Sequence, residues 1–228
     1  MQRRLHRSAP IQVTEETYSM LSVLLHEFDV WAATANRDDA GWQNDFPKWR
    51  ELIGLANTLL TAPDISEEQL HLVGRCWAAS EEDEECARFA RSHINEPGTL
   101  QTVFALTKYL DRDTRWQAYD VLGGYSGEGA PLYALLEVGL IDEDSYVRRR
   151  AFNSLLKNSS ASRRVRYISA MLADAEEYNR YVAVKAALKM DESEIKEQAH
   201  SLLKRDHIVR ELLEYYIEHK NTIDKFNT

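Results

Sequence analysis

Apolar residues return every three or four positions along almost the whole chain, with charged and polar residues between them. This spacing is that of an amphipathic α-helix, and no segment of the sequence shows the sustained two-residue alternation of a strand. The 5 prolines and 9 glycines fall between the helical stretches, where helix-breaking residues are expected. The pattern therefore predicts an all-α fold.

In the N-terminal half, the periodicity and the capping residues predict four helices. The first spans residues 14–35, and after a polar connection Pro47 fits the first position of a second helix that runs to about residue 60. Ser66 and Gln69 form a capping-box pattern at the start of a third helix, which ends near Ser80. Ser80 and the acidic residues after it predict the start of a fourth helix, because acidic side chains favour a first turn.

From about residue 97 to residue 220, the sequence repeats. Four segments share an acidic residue, an arginine four positions later and a small or apolar residue three positions further on. The pairs are Asp111 with Arg115, Asp144 with Arg148, Glu176 with Arg180, and Asp206 with Arg210, and their acids are 33, 32 and 30 residues apart. Each repeat has room for two helices. The first helices are predicted near 97–110, 130–140, 161–173 and 192–204, and the second near 113–124, 144–157, 176–190 and 206–220.

The recurring residues have a physical reason to recur. An acid at the start of a second helix can cap it and favours its dipole, and an arginine one turn later can reach the acid of its own or of a neighbouring repeat. We expect these pairs to form a structural ladder. Small side chains on the same helices would allow close packing along one seam, and apolar side chains one turn later face the same seam. These residues are Ala118, Ala151 and Ala183, followed by Leu122, Leu155, Ala187 and Ile217.

The segment DSYVRRRAFNSL, residues 144–155, resembles HEAT repeats and the similar HEAT-like repeats of the phycobilisome-lyase type. The resemblance covers residues 97–220 and implies a right-handed α-α superhelix whose second helices line a concave face that binds another macromolecule. On this reading, residues 14–228 form a single helical-repeat domain of about six or seven hairpins. Residues 14–96 would be degenerate or capping helices, with a basic tail at 1–13 and a second tail at 221–228.

The charge distribution bears on the partner. Residues 1–110 contain 10 Lys and Arg against 17 Asp and Glu, whereas residues 111–228 contain 18 against 20. An acidic surface repels a nucleic-acid backbone and attracts a basic protein, although an acidic excess also serves solubility. We therefore expect a basic protein partner and no nucleic acid.

The candidate binding residues are polar side chains off the apolar seam, together with two tryptophans near Pro47. They are Arg149, Asn153, Lys157, Lys185, Lys189, Glu211, Glu214, Glu218, Trp42 and Trp49. Neither the 7 histidines nor Cys76 and Cys86 show the spacing of a metal site. We expect no metal, no cofactor and reduced thiols.

One enzymatic alternative stays open. Trp116 and Asp120 lie a turn apart on a second helix and Arg148 lies one repeat later, an arrangement similar to the Trp, Asp and Arg site of HEAT-like DNA-alkylation-repair glycosylases. In that family the Asp stabilises the charged sugar and aromatic residues contact the damaged base. This chain departs from the family in its short spacing between Asp120 and Arg148 and in its acidity.

The leading interpretation is a non-enzymatic protein-protein interaction module. A specific form is an immunity or antitoxin-type inhibitor, and a further alternative is an accessory factor of the chromophore-lyase type. No apolar run in the sequence approaches the roughly 18 to 20 residues that span a bilayer, and no secretory signal is recognisable. We therefore expect a cytoplasmic protein without a membrane partner.

Overall fold

The computed structural model describes residues 15–35, 41–127 and 129–226. This part of the chain contains twelve α-helices, one 3₁₀ turn (Trp42–Asp45) and no strand, so the prediction of an all-α fold is confirmed. The helices are α1 (Glu15–Ala32), α2 (Trp49–Leu60), α3 (Glu67–Ala79), α4 (Glu85–His93), α5 (Pro97–Leu106), α6 (Arg112–Leu122), α7 (Ala130–Gly139), α8 (Ser145–Asn158), α9 (Ala161–Met171), α10 (Glu177–Ala187), α11 (Ser193–Arg205) and α12 (His207–Phe226).

The chain divides into two compact units. Unit 1 is Met1–Gly127, with α1 to α6, and unit 2 is Glu128–Thr228, with α7 to α12. The boundary falls inside the predicted repeat series, because the first repeat, α5 and α6, belongs to unit 1. The single domain over residues 14–228 stays a prediction. Its two tails, residues 1–13 and 221–228, lie outside the part of the chain whose side chains are described.

In unit 1, α3 packs against both α1 and α6, while α2 contacts α1, α3, α4 and α5. The side chains at the centre are large and fully buried, among them Leu52, Leu59, Trp77 and Tyr119. Burial of such side chains is the main favourable contribution to folding. The helices of this unit therefore share one core, without the strict alternation of first and second helices.

Unit 2 is more regular. The second helices α8, α10 and α12 pack in series, α9 packs on α11, and each helix contacts its neighbour along the chain. The seam alanines Ala151 and Ala183 are completely buried, and so is Ala118 in unit 1. Ile217 differs from the expectation, since it is 64% exposed. It lies on α12, which no further hairpin follows in the described chain.

All eight helices predicted for residues 97–220 form, and each starts within one residue of its predicted first position. The capping box at Ser66 is also confirmed. The amide of Gln69 donates to Ser66 Oγ at 3.2 Å, and Gln69 Oε1 accepts from the amide of Ser66 at 3.0 Å. Local sequence signals therefore determine these helix starts.

Two predicted helix starts were wrong. Pro47 precedes α2, which begins at Trp49 after Lys48. Helix α4 begins at Glu85 and not at Ser80, and Glu84 before it has a φ of 49°. The physical reason is that the acids expected in its first turn have tertiary partners: Glu82 accepts a hydrogen bond from the amide of Gly41.

Candidate functional site

The arginine ladder is built in unit 2 by two similar arrangements. Arg148 donates from Nε and Nη2 to the two carboxylate oxygens of Asp174, at 2.7 and 2.8 Å. Arg180 places Nε and Nη2 2.7 Å from Oδ2 of Asp206. Both pairs are largely buried, and charge-assisted hydrogen bonds of this geometry are among the strongest in proteins. Each arginine thus connects one helical hairpin to the next.

The same arginines also form hydrogen bonds with the loop that precedes their own helix. In each case Nη1 donates to the carbonyl oxygens six and five residues earlier. Arg148 contacts those of Asp142 and Glu143 at 2.9 and 3.1 Å, and Arg180 those of Asp174 and Ala175 at 2.9 and 2.8 Å. In unit 1, Arg115 does the same with the carbonyls of Tyr109 and Leu110, at 3.1 and 2.7 Å.

Three of the four predicted ladder acids cap their helices. Oδ1 of Asp111 accepts from the amide of Thr114, that of Asp144 from Val147, and that of Asp206 from Val209. Glu176 differs, since its side chain makes no cap hydrogen bond. Arg210 also differs, because it is exposed and no side-chain hydrogen bond or ion pair involves it in the described part of the chain.

Asp174 is the ladder residue that the sequence reasoning missed. It lies two residues before Glu176, and its Oδ1 accepts from the amide of Glu176 at 2.8 Å. Burial alone would raise the pKa of the Asp174 carboxyl, but the hydrogen bonds from Arg148 and from that amide outweigh burial and lower the pKa. A signal was present, because Asp142, Asp174 and Asp206 are spaced by 32 residues, as are Arg148 and Arg180.

Four of the predicted binding residues meet in unit 2. Asn153, Lys157, Lys185 and Lys189 line an open cavity of about 400 Å³, together with Arg164 and apolar side chains from α8, α9 and α10. We call it the lysine cavity. Its charge suits an anionic group and not a cationic one.

The other predicted binding residues of unit 2 lie outside the lysine cavity. The Arg149 guanidinium lies 4.6 Å from the ring centres of both Tyr146 and Tyr178, and burial lowers its pKa. The three glutamates of α12 are exposed and line none of the cavities described here. They are Glu211, Glu214 and Glu218.

Trp49 is not a surface residue, contrary to the prediction. It is 3% exposed, and its Nε1 donates to Glu85 at 2.8 Å. Trp42 is partly exposed and stacks on Trp31, with ring centres 5.6 Å apart and planes inclined by 10°. Phe28 lies 5.9 Å from Trp42 in a second stacked contact. These rings form one aromatic cluster that joins α1 to the 3₁₀ turn and α2.

The most distinctive site of unit 1 is an open cavity of about 330 Å³ beside this aromatic cluster. Aromatic faces, carboxylates and an amide line it, and we call it the acidic cavity. Its defining residues are Phe28, Trp42, Gln43, Asp29, Glu81 and Glu82. Helix α1, the 3₁₀ turn, and the end of α3 with the turn after it supply these residues.

The polar groups of the acidic cavity are nearly all acceptors. Glu82 is held by the amide of Gly41, and Asp29 pairs with Arg75. Gln43 is 1% exposed, and its Oε1 has no hydrogen-bond partner in the described part of the chain. A buried acceptor without a donor costs free energy until a donor arrives.

The pKa of the Glu81 carboxyl is raised. Burial, followed by the charge of Asp113 and a hydrogen bond with it, raises the pKa of Glu81 to about 7. Asp113 is also held by Arg112 at 3.2 Å and by Nε1 of Trp116 at 3.2 Å. The Glu81 carboxyl is therefore partly protonated at neutral pH, and a cation placed beside it would displace that proton.

The alternative catalytic residues are occupied by structural contacts. Oδ2 of Asp120 accepts from Arg91 at 2.7 Å, and Arg91 also contacts Glu84 at 2.5 Å. Trp116 is 5% exposed, and Arg148 belongs to the ladder of unit 2. A carboxylate neutralised by an arginine is poorly placed to stabilise a charged sugar.

No protein-family model, curated protein or solved structure matches this chain. Among the described residues, no helix is long and apolar enough to cross a membrane. In the same part of the chain, no group of three or more His, Cys, Asp or Glu side chains is placed to hold a metal ion.

Proposed function

We propose that this chain is a non-enzymatic binding protein that takes up a basic side chain of a protein partner in the acidic cavity of unit 1. The observation that carries the proposal is the combination, in the lining of one cavity, of Trp42 and Phe28 with Glu81, Glu82 and Gln43. The Gln43 Oε1 has no hydrogen-bond partner in the described part of the chain. Aromatic faces and carboxylates together attract a guanidinium or ammonium group.

The chemistry of the cavity favours a cation over other ligands. Its carboxylates and the Gln43 oxygen accept hydrogen bonds, and Lys and Arg side chains offer only donors. A volume of about 330 Å³ is at the small end of ligand pockets. A single long side chain therefore suits it better than a large cofactor. Arginine also ranks among the residues that dominate protein interfaces.

We also propose that the repeats are HEAT-like hairpins of an α-helical solenoid. The support is the packing of α8, α10 and α12 in series, the 32-residue spacing of the ladder and its repeated geometry. Proteins of this architecture commonly bind other macromolecules along stacked helices. An immunity or antitoxin-type inhibitor of a basic enzyme is one form that the proposal takes.

The test compares capture of a partner by the immobilised full chain and by two double variants, each with two Glu→Gln changes. Glu81→Gln/Glu82→Gln alters the acidic cavity. Glu51→Gln/Glu67→Gln replaces the same number of carboxyl groups at exposed positions that do not line it. We expect the wild type and the control to retain the same basic protein, and the cavity variant to bind it at least about tenfold more weakly.

Competition provides the second measurement. Arginine amide, which offers the same guanidinium, should release the captured protein, whereas glutamate at equal ionic strength should not. Equal loss of binding in both double variants would show that only the net charge matters. An acidic partner, or one insensitive to both variants, would refute the proposal.

A further inference from the structure

A second cavity lies in unit 2 where two helices begin. It has a volume of about 620 Å³ and is formed at the starts of α7 and α9 and the end of α8. We call it the α7/α9 cavity. Its defining residues are Gly129, Tyr133, Lys157, Ser159, Ser160 and Arg163.

Both helix starts lack a side-chain cap. Gly129 precedes α7 and Ser160 precedes α9, and neither supplies a cap hydrogen bond. In α9 the first amide with a backbone acceptor is that of Arg164, which donates to the Ser160 carbonyl at 3.0 Å. The amides of residues 161–163 therefore have no acceptor in the described part of the chain. Such amides and the helix dipole favour an anion.

Two cations line the same cavity, and no carboxylate of the described residues does. The Arg163 guanidinium lies 4.1 Å from the ring centre of Tyr133, which holds it at the cavity. The carbonyl of Asn158, at the end of α8, would oppose an anion, but it accepts a hydrogen bond from the Tyr133 hydroxyl at 2.5 Å. The described charged side chains that line the cavity are therefore all cationic, and the Asn158 carbonyl is already engaged.

Ser159 supplies an independent indication of a ligand. It lines the cavity and is 5% exposed, and its Oγ has no hydrogen-bond partner in the described chain. A buried hydroxyl without a partner is destabilising, and a ligand oxygen within its reach would give it an acceptor.

We propose that the α7/α9 cavity binds a phosphate-type oxyanion, either inorganic phosphate or the phosphate monoester of a small molecule. The amides at the start of α9, Lys157, Arg163 and Ser159 would contact its oxygens. This site is independent of the acidic cavity, because its residues all belong to unit 2.

The experiment titrates the ¹⁵N-labelled full chain with inorganic phosphate and with glycerol 2-phosphate, using chloride at matched ionic strength as the reference. We expect saturable amide shifts at residues 161–163. Arg163→Gln should weaken binding by about tenfold. Lys189→Gln is the matched control, because it removes one cation from the lysine cavity and does not line the α7/α9 cavity. It should leave the affinity unchanged.

Ser159→Ala separates binding from folding. Without ligand, this variant should be at least as heat-stable as the wild type, because an unpartnered buried hydroxyl is removed, while the stabilisation by phosphate should fall. Tighter binding of the ester than of phosphate identifies an organic phosphate as the ligand, and equal binding identifies the free ion. Absence of saturable shifts, or equal weakening by Arg163→Gln and Lys189→Gln, would overturn the proposal.

Discussion

The ladder predicts that two arginines at the same helical position differ sharply in their contribution to stability. Arg148 and Arg210 are each the fourth residue of a second helix. Arg148→Gln removes both hydrogen bonds to Asp174 and leaves that carboxylate largely buried without its cation. Because breaking a buried pair costs about 3 to 5 kcal/mol and this pair keeps some solvent access, we expect a loss of about 3 kcal/mol.

Arg210→Gln is the matched control. It is exposed and makes no such contacts in the described chain, so we expect a change within about 0.5 kcal/mol. Asp174→Asn should cost about 2 kcal/mol. The double variant with Arg148→Gln should be less destabilised than the sum of the two single variants by at least about 1 kcal/mol, because the two residues interact directly.

Urea unfolding followed by two signals measures these effects. All 5 tryptophans lie in unit 1, at residues 31, 42, 49, 77 and 116, so tryptophan emission reports unit 1, whereas far-ultraviolet circular dichroism reports the helices of both units. The loss caused by Arg148→Gln should appear in the circular dichroism transition. Equal effects of Arg148→Gln and Arg210→Gln, or additive effects of Arg148→Gln and Asp174→Asn, would refute the ladder as a source of stability.

The pH dependence of this pair has a definite sign. The folded state lowers the pKa of Asp174. The stability that the ionised Asp174 contributes is therefore fully present above the ordinary pKa of an aspartate, about 3.9. It is lost as pH falls through the lower pKa that Asp174 has in the folded state. Arg148→Gln should remove most of this acid-side loss, because the remaining burial raises the pKa of the carboxyl.

Three further predictions concern unit 1. The pKa of Glu81 is raised from 4.5 to about 7, so the folded state loses stability as pH rises through this window. In thermal unfolding, Glu81→Gln should be more stable than the wild type at pH 8, by about 1 kcal/mol after solvent screening, and equally stable at pH 4. Gly98→Ala should destabilise the folded protein by at least about 2 kcal/mol, because the new Cβ would lie 2.5 Å from the Ala62 carbonyl oxygen. Gly54→Ala should stabilise it by about 0.5 to 1 kcal/mol, because no atom lies within 4 Å of the new Cβ. Ser66→Ala should cost about 1 kcal/mol through loss of the capping box, measured by urea unfolding, and no change would contradict that role.

The acidic cavity could be predicted only in part. The acidic character of the first 110 residues was evident from the sequence, and Trp42 was a candidate binding residue, but Phe28, Gln43 and Glu81 are up to 53 residues apart. Their meeting depends on how α1, the 3₁₀ turn and α3 pack. The polar set predicted for unit 2 was grouped by helical periodicity, which does not indicate which of its members border one cavity. Arg164, which was not among the predicted residues, lines the lysine cavity from α9.

The sequence by itself determined the helical class and the helix starts of residues 97–220, because apolar periodicity and capping residues act within a few positions of the chain. Only the tertiary structure decided which acid each arginine meets. Asp174, and not Glu176, lies opposite Arg148 because successive hairpins stack in a particular register. The start of α4 was also decided by packing, since Glu82 contacts Gly41, and so was the burial of Trp49. Such contacts join residues that are distant in sequence, and no local pattern encodes them.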